Sequence, residues 1–168
     1  MDVLETDRLI IQPFDVVHVH DFLEFYNQAE TMKWVGNGKS TWTENELLEK
    51  MARFSGQYPF GIYSVFLKSE CKVIGEISLF DTFQSSVKAE IGYIIHQGYW
   101  NKGYASELLH TFVPFCKEGW KFEQIIARMY SDNIVSAKIC EKMGMSPVAR
   151  DEIADGVVRL TYELKFNH

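Results

Sequence analysis

Two glycines and a lysine stand just before a helical pattern, and residues of these types in this order can bind an anion. The segment WNKGYA, residues 100–105, leads into a stretch whose apolar residues recur at helical spacing. The N-terminus of a helix presents free backbone N–H groups, glycine lets an anion approach them, and Lys102 adds a positive charge. Such a site suits a diphosphate. Taken alone, Gly98 and Gly103 favour an ordinary left-handed turn over an anion site, because such turns are the commoner use of glycine.

The turn differs from the two common nucleotide-binding motifs. The sequence contains no GxxxxGK[ST], and Gly98 and Gly103 do not form GxGxxG. A run of β-branched and aromatic residues, 88–96, precedes the turn, which therefore joins a predicted strand to a predicted helix. Whether this segment is an anion site or a simple turn therefore depends on the elements around it.

These elements alternate between strand and helix patterns. Runs of β-branched and aromatic residues predict strands at 8–14, 62–68, 72–81, 88–96 and 123–130, and two more on either side of Asp155–Gly156. Helical spacing predicts four helices, which begin at Asp15, Thr43, near Gly103 and near Asn133. Thr43 and Glu46 form a capping box. Pro114 predicts a kink or an early end of the third helix, because proline removes a backbone donor.

Length and charge indicate one domain without a general affinity for polyanions. The 168 residues are 46% hydrophobic, which suffices for a single core. Seventeen basic residues against 23 acidic ones argue against a nucleic-acid or anionic-membrane binder. The balance weakly favours a cationic or amine-bearing small partner.

Cysteine and histidine usage predicts a cytoplasmic protein without a metal. The three cysteines are odd in number and far apart, which favours neither a disulfide framework nor a CxxC site. The histidines form no metal motif. The N-terminal residues lack the pattern of a leader, and no run of apolar residues is long enough to span a membrane.

Two longer segments, AEIGYIIH…YWNKGYASELL and NIVSAKICEKMGM, together with the order of elements, resemble the GNAT superfamily of acetyl-CoA-dependent N-acetyltransferases. Within it, the chain is most similar to the ribosomal-protein N-acetyltransferases of the RimJ/RimL-like branch. The resemblance covers nearly the whole chain, from LETDRLIIQPF to the C-terminal strand pair, and its motifs occur in the expected order. It implies a single α/β (α+β) domain over residues 1–168. The implied sheet is mixed, mostly antiparallel and seven-stranded, flanked by four helices, with strands 88–96 and 123–130 splayed to admit the cofactor.

The resemblance also implies which residues bind acetyl-CoA. Backbone amides of the turn would hold the diphosphate, a strand edge would pair with the pantetheine, and the helix that begins near Asn133 would contact the pantetheine near its sulfur. The implied contacts are Tyr93, Ile94, Ile95, Trp100, Asn101, Lys102, Gly103, Tyr104, Ala105, Ser106, Asn133, Ser136 and Lys138. Trp100 stands where the superfamily usually has Gln or Arg, which affects only a side-chain contact. Capping of the helix by Asp132 or Asn133 is the alternative role for its first residues.

Acetyl transfer to an amine needs a base, a polarised carbonyl and a proton for the thiolate. Glu90 is the first choice for the base, with Glu76 and Asp81 in reserve, because a carboxylate in partly apolar surroundings has a raised pKa. The rival interpretation makes Glu90 a structural carboxylate that pairs with Arg8 or Lys88, or one that only faces water. The N–H of Ile95 or of a neighbour is the candidate oxyanion donor.

The source of the thiolate proton stays open between Ser136 and water. Many superfamily members have a tyrosine where this chain has Cys140, so a tyrosine acid at that position is not available. Four aromatic residues fall where the fold builds the acceptor pocket, although core packing is as good an interpretation: Trp34, Trp42, Tyr58 and Phe60.

The resemblance implies N-acetylation of a primary amine by direct transfer in a ternary complex. The amine is either the N-terminal α-amine of a protein or a small molecule. Two alternatives remain: a detoxifying enzyme for aminoglycosides, polyamines or arylamines, and a catalytically silent acyl-CoA-binding module. The expected protein is a monomer or homodimer that needs no metal and binds neither nucleic acid nor membrane.

Overall fold

One eight-stranded sheet forms the centre of the molecule, in a computed structural model that describes residues 3–167. The strands are β1 (Leu4–Glu5), β2 (Leu9–Pro13), β3 (Gly61–Leu67), β4 (Lys72–Phe80), β5 (Lys88–Ile95), β6 (Gln124–Tyr130), β7 (Ser146–Ala154) and β8 (Val157–Lys165). The helices are α1 (Val19–Tyr26), α2 (Ala29–Met32), α3 (Glu44–Phe54), α4 (Tyr104–Glu118) and α5 (Ile134–Lys142).

The sheet contains one parallel pair, which creates an opening. The strand order is β1-β2-β3-β4-β5-β6-β8-β7, and only β5 and β6 run parallel. Their pairing starts at Lys88 with Gln124 and ends at Ile91 with Ala127. Both strands continue beyond that point without pairing to each other. We call the opening between residues 92–95 and residues 128–130 the β5–β6 gap; it is the splay that the resemblance implied.

The predicted fold class is confirmed, but the predicted number of elements was wrong. Within residues 3–167 the sheet has eight strands instead of seven, and there are five α-helices instead of four. The two elements that the sequence did not predict are β1, with two residues, and α2, with four. Neither is long enough to show a periodic pattern of apolar residues. Asp15 caps a short 3-10 turn, Val16–His18, which leads into α1. The capping box before α3 is present as predicted.

Pro114 does not end α4, which continues to Glu118, so the predicted early end was wrong. The proline lies on the exposed side of the helix, where water can satisfy the carbonyl that loses its partner. The opposite side carries the packing that holds the helix on the sheet, through Leu108, Leu109, Phe112, Val113 and Cys116.

Each face of the sheet packs against a separate hydrophobic cluster. The larger cluster includes Leu108 and Phe112 of α4 and Ile139 of α5. The smaller one includes Phe22 of α1 and Leu47 of α3. Since side chains alternate along a strand, neighbouring residues of β5 face different helices. We call the two sides the α4–α5 face and the α1–α3 face.

Three further features concern compartment and cofactor. Among residues 3–167, no helix has the length and hydrophobicity needed to cross a membrane. The same residues contain no group of His, Cys, Asp or Glu side chains that could hold a metal ion. All three cysteines are free; Cys71 is exposed, whereas Cys116 and Cys140 are buried.

Candidate active site

The edge of β5 presents to the β5–β6 gap backbone groups that are not paired with a neighbouring strand. The His96 N–H donates to the Ile74 carbonyl of β4 over 2.8 Å. Backbone groups of successive residues point to opposite sides of a strand, so Ile94 also directs its groups at β4, where it pairs with Glu76. Tyr93 and Ile95 therefore direct theirs into the gap. Of the three residues predicted to pair with pantetheine, Ile94 does not offer its backbone.

The turn after β5 is built to expose the N-terminus of α4. Asn101 and Gly103 have φ angles of 60° and 80°, in the left-handed region that glycine adopts without strain. Gly103 supplies no capping side chain, which leaves the first N–H groups of the helix free for an anion. The indole N–H of Trp100 donates to the Ile95 carbonyl over 2.6 Å and fixes the turn to the strand.

A second positive charge, the guanidinium of Arg8, lies beside this turn and was not predicted from the sequence. A Cβ on Gly103 would come within 3.5 Å of Arg8 Nη2. The Arg8 guanidinium also lies over the Tyr104 ring, 4.3 Å from its centroid, and is paired with Glu107 at 2.6 Å. Lys102 is exposed in the turn itself. No sequence signal connects residue 8 with residue 103, because only the docking of α4 brings them together.

The first turn of α5 lies beside the gap on the α4–α5 face. Asn133 caps the helix by accepting the Ser136 N–H at 3.4 Å, so the predicted capping role is present. The hydroxyls of Ser136 and Tyr93 are hydrogen-bonded at 2.9 Å. Burial raises the pKa of Tyr93 to about 12, and burial raises the pKa of Cys140 to about 11. Both groups therefore keep their protons at neutral pH. Lys138 is exposed.

Glu90 faces the α1–α3 side of the sheet and has different partners from those predicted. Its Oε2 atom accepts from the Thr82 hydroxyl at 2.6 Å and lies 3.6 Å from Nη1 of Arg128. Neither Arg8 nor Lys88 pairs with it; Arg8 is engaged by Glu107. The Glu90 side chain remains 16% exposed, so a ligand can reach it.

Glu76 is buried within a polar cluster and is closed to substrate. Its carboxylate accepts from Tyr26 at 2.8 Å and from Ser78 at 3.3 Å, and Lys50 Nζ donates to the same Tyr26 hydroxyl at 2.8 Å. Burial raises the pKa of Glu76 and lowers that of Lys50. The other reserve, Asp81, is exposed and accepts the Ser85 N–H.

One of the four aromatic residues expected at the acceptor pocket lies beside the gap. The ring of Trp34 is 6.5 Å from that of Tyr130 in β6, and the Tyr130 hydroxyl donates to the Gly36 carbonyl. The loop after α2 thus contacts the end of β6. The other three pack elsewhere: Trp42 lies against Tyr26 in the smaller cluster, whereas Tyr58 and Phe60 line a separate cavity of about 200 Å³ near the start of β3.

The chain belongs to the GNAT acetyltransferases, since the family model described as "Acetyltransferase (GNAT) domain" matches residues 8–146. This makes the protein an acyltransferase of the N-acetyltransferase class. Its relatives include YnaD of Bacillus subtilis, an uncharacterized N-acetyltransferase that is 28% identical over 142 residues, which are 84% of this chain and 81% of YnaD. YjcK of the same organism, a probable N-acetyltransferase, is 29% identical over 128 residues, 74% of this chain and 67% of YjcK.

Solved structures show the same fold at lower sequence identity. A GNAT-family acetyltransferase from Bacillus anthracis has a TM-score of 0.84 at 23% identity and covers 98% of both chains. A Vibrio cholerae protein assigned as a ribosomal-protein-serine acetyltransferase has a TM-score of 0.76 at 15% identity, with 98% of this chain and 97% of that chain covered. At these identities the likeness concerns the fold alone.

Proposed function

We propose that the protein transfers an acetyl group from acetyl-CoA to a primary amine by direct attack in a ternary complex. The observation that carries the proposal is the β5–β6 gap, whose open strand edge leads directly to the uncapped N-terminus of α4. One end of this channel suits an extended amide chain and the other suits a diphosphate.

The coenzyme contacts follow from this channel. The amides of residues 101–105, with Ser106 in the same helical turn, would hold the diphosphate, and Lys102 and Arg8 would add positive charge. The backbones of Tyr93 and Ile95 would pair with the pantetheine as a strand would. Asn133 can contact it from α5 while it caps the helix. Trp100 acts by fixing the turn, through its hydrogen bond to the Ile95 carbonyl.

When bound, acetyl-CoA supplies the activated acetyl group: its C–S bond breaks, a C–N bond to the amine forms, and the sulfur leaves as a thiolate that takes one proton. An acceptor that arrives as an ammonium loses two protons in the same exchange: one is released through the base, and the other balances the proton taken by the thiolate. The chain provides a backbone N–H in the gap, that of Ile95 or the neighbouring Tyr93, to stabilise the oxyanion. It also holds the amine near the thioester and away from water.

Glu90 is the proposed base, because its carboxylate is the reachable one on the α1–α3 face. A carboxylate within hydrogen-bond reach can take a proton from an ammonium directly or through water. Glu76 lacks this access, since 4% of the residue is exposed and Tyr26 and Ser78 occupy its oxygens. The pairing of Glu90 with Arg128 is loose enough to be exchanged for a ligand.

Ser136 is the proposed proton donor to the thiolate, with Tyr93 behind it. The two hydroxyls share a hydrogen bond on the wall of the gap, and the raised pKa of Tyr93 keeps the pair protonated at neutral pH. A proton that leaves Ser136 can be replaced from the phenol. This pair would supply the acid that the family often takes from a tyrosine at position 140.

The acceptor is either a protein N-terminal α-amine or a small-molecule amine. Membership of the RimJ/RimL-like branch, proposed from the sequence motifs, favours the former. A detoxifying enzyme and a silent coenzyme-binding module are the alternatives. The cytoplasm remains the proposed location, and a monomer or homodimer the proposed state.

The test of the coenzyme site is a pair of substitutions at one glycine. Gly103→Asp and Gly103→Asn introduce side chains of equal size at φ +80°, but only the aspartate repels a diphosphate. A unit charge about 5 Å away changes binding by roughly 1–3 kcal/mol, or about 5- to 150-fold. Calorimetry with coenzyme A should show this difference between the two variants. Equal affinities would refute the anion site.

The test of the base is a thiol-release assay with acetyl-CoA and a panel of amines that includes short peptides. Glu90→Gln should lower turnover by about a hundredfold or more at neutral pH, because general base catalysis contributes at least that factor. It should leave coenzyme affinity unchanged. A pH–rate profile identical to that of the wild type would remove Glu90 from this role. Coenzyme binding without thiol release for any amine would favour the silent module.

A further inference from the structure

Two arginines, Arg128 of β6 and Arg159 of β8, lie diagonally across neighbouring strands on the α1–α3 face, next to the β5–β6 gap. Tyr130 of β6 is paired with Arg159 of β8, and Arg128 is paired with Thr161. Side chains paired across neighbouring antiparallel strands point to the same face. The Tyr130 hydroxyl contacts the Gly36 carbonyl of the loop after α2. Both arginines therefore lie on the floor of the region where the acceptor would bind.

The side chain of Arg159 lacks a hydrogen-bond or ion-pair partner among residues 3–167. Its Nε atom is buried and has no hydrogen-bond partner. Within residues 3–167, no carboxylate lies within ion-pairing distance of its guanidinium; Asp151, its neighbour across β7 and β8, is exposed and does not pair with it. A guanidinium matches the two oxygens of a carboxylate. An arginine that lacks an anion beside a substrate site indicates that the ligand brings one.

Arg128 is the second cation and stands opposite the proposed base. Its Nη1 atom is 3.6 Å from Glu90 Oε2, longer than a direct hydrogen bond. The site thus places the negative Glu90 next to the positive Arg128. Arg159 lies beyond Arg128 as seen from Glu90, opposite Tyr130. The nearest other carboxylate on β8, Glu163, is engaged by Gln124 and Lys165.

We propose that the acceptor is a small amine that carries a carboxylate beside its amino group, of the α-amino acid type. This inference rests on the proposed function and names its substrate class. An α-amino acid bears its ammonium and its carboxylate on one carbon, which matches the adjacent Glu90 and Arg128. Glu90 receives the amine, and Arg128 and Arg159 bind the carboxylate.

The same charges act against the other candidate acceptors. A polyamine or an aminoglycoside would bring further positive charges towards two arginines, one of which has no counter-ion, and like charges at close range oppose binding. The N-terminus of a protein has an amide where an amino acid has its carboxylate. It would leave Arg159 without an anion.

The test uses matched triads of an α-amino acid, its carboxamide and the decarboxylated amine, for example phenylalanine, phenylalaninamide and phenethylamine. The wild type should acetylate the acid with a kcat/KM about tenfold or more above that of the amide, since the carboxylate makes charged hydrogen bonds. Arg159→Gln should lower kcat/KM for the acid by about ten- to a hundredfold and leave the amide unchanged. Equal use of acid and amide by the wild type would overturn the proposal.

Arg150→Gln is the matched control, because Arg150 is exposed and paired with Leu160 of β8, on the other face. It should change neither substrate. Arg159→Lys keeps the charge and should retain part of the preference, and its thermal unfolding shows whether residue 159 is needed for folding. A loss of activity that is equal for all three amines in Arg159→Gln and Arg159→Lys would contradict carboxylate binding.

A binding measurement separates this inference from the proposed function. Calorimetry with the amino acid, in the presence of coenzyme A, should show binding to the wild type and to Arg150→Gln, and at least tenfold weaker binding to Arg159→Gln. Binding of this pattern without any acetylation would refute the transferase and keep the carboxylate site. Acetylation of amines that is indifferent to the carboxylate would keep the transferase and refute the site.

Discussion

Removal of one buried hydroxyl should measurably destabilise the domain. In Tyr26→Phe the ring keeps its packing, but the hydroxyl that donates to Glu76 and accepts from Lys50, each at 2.8 Å, is lost. A hydrogen bond to a charged group contributes about 1.5–3 kcal/mol. Lys50 is only half-buried and can regain water, whereas Glu76 cannot. The expected loss is therefore that of one bond to a buried carboxylate, about 2–3 kcal/mol.

The measurement is thermal and urea-induced unfolding at neutral pH. The melting temperature should fall by roughly 4–12 °C, because each kcal/mol shifts a chain of this size by about 2–4 °C. Tyr162→Phe is the matched control. Tyr162 is buried as well, and its hydroxyl donates to Glu141 over 3.0 Å, but Glu141 is exposed and returns to water at a cost of about 1 kcal/mol or less. Equal losses in the two variants would show that the burial of Glu76 does not determine the effect.

Three further tests concern other parts of the structure. Tyr93→Phe should lower kcat about tenfold at unchanged coenzyme affinity, less than the roughly hundredfold or more usual for proton transfer, because a thiolate leaves readily; an unaltered kcat would exclude the hydroxyl pair. Gly75→Ala would bring a methyl group into collision with the Ile94 carbonyl oxygen and should cost about 1–3 kcal/mol in urea unfolding, with weaker coenzyme binding as β5 moves. Burial raises the pKa of Glu76, so its contribution to stability is full below pH about 4.3 and is lost as pH rises through its folded value. The hydrogen bond from Lys72 lowers the pKa of Glu24, so its contribution is present above that pH and is lost as pH falls. Unfolding of Glu76→Gln and Glu24→Gln between pH 3 and 8 should give differences from the wild type that slope in opposite directions.

Local patterns predicted those parts of the fold that depend on neighbouring residues. The capping box of Thr43 and Glu46 and the turn at Asp155–Gly156 each depend on residues a few positions apart. The continuation of α4 through Pro114 was not predictable in this way, because it depends on which side of the helix faces water.

The partners of the carboxylates depend on contacts between distant residues. Glu90 pairs with Ile126 across the parallel strands, which brings Arg128 to it on the same face, but the register of a parallel pair cannot be inferred from either strand alone. Glu76 has the same sequence pattern as an exposed strand residue. It is buried because Tyr26, fifty positions earlier, closes over it.

The single parallel pair in the sheet divides the molecule into two parts that can vary separately. The proposed coenzyme contacts, apart from Arg8, lie within residues 93–138, a continuous strand–helix–strand–helix unit built around that pair. The acceptor side adds to Glu90 and Arg128 of the central strands the loop near Trp34 and the C-terminal strand that carries Arg159. Substitutions in these outer segments can change which amine is used while the central unit stays intact. A graft of both outer segments between relatives should therefore transfer acceptor preference more completely than a graft of either one alone.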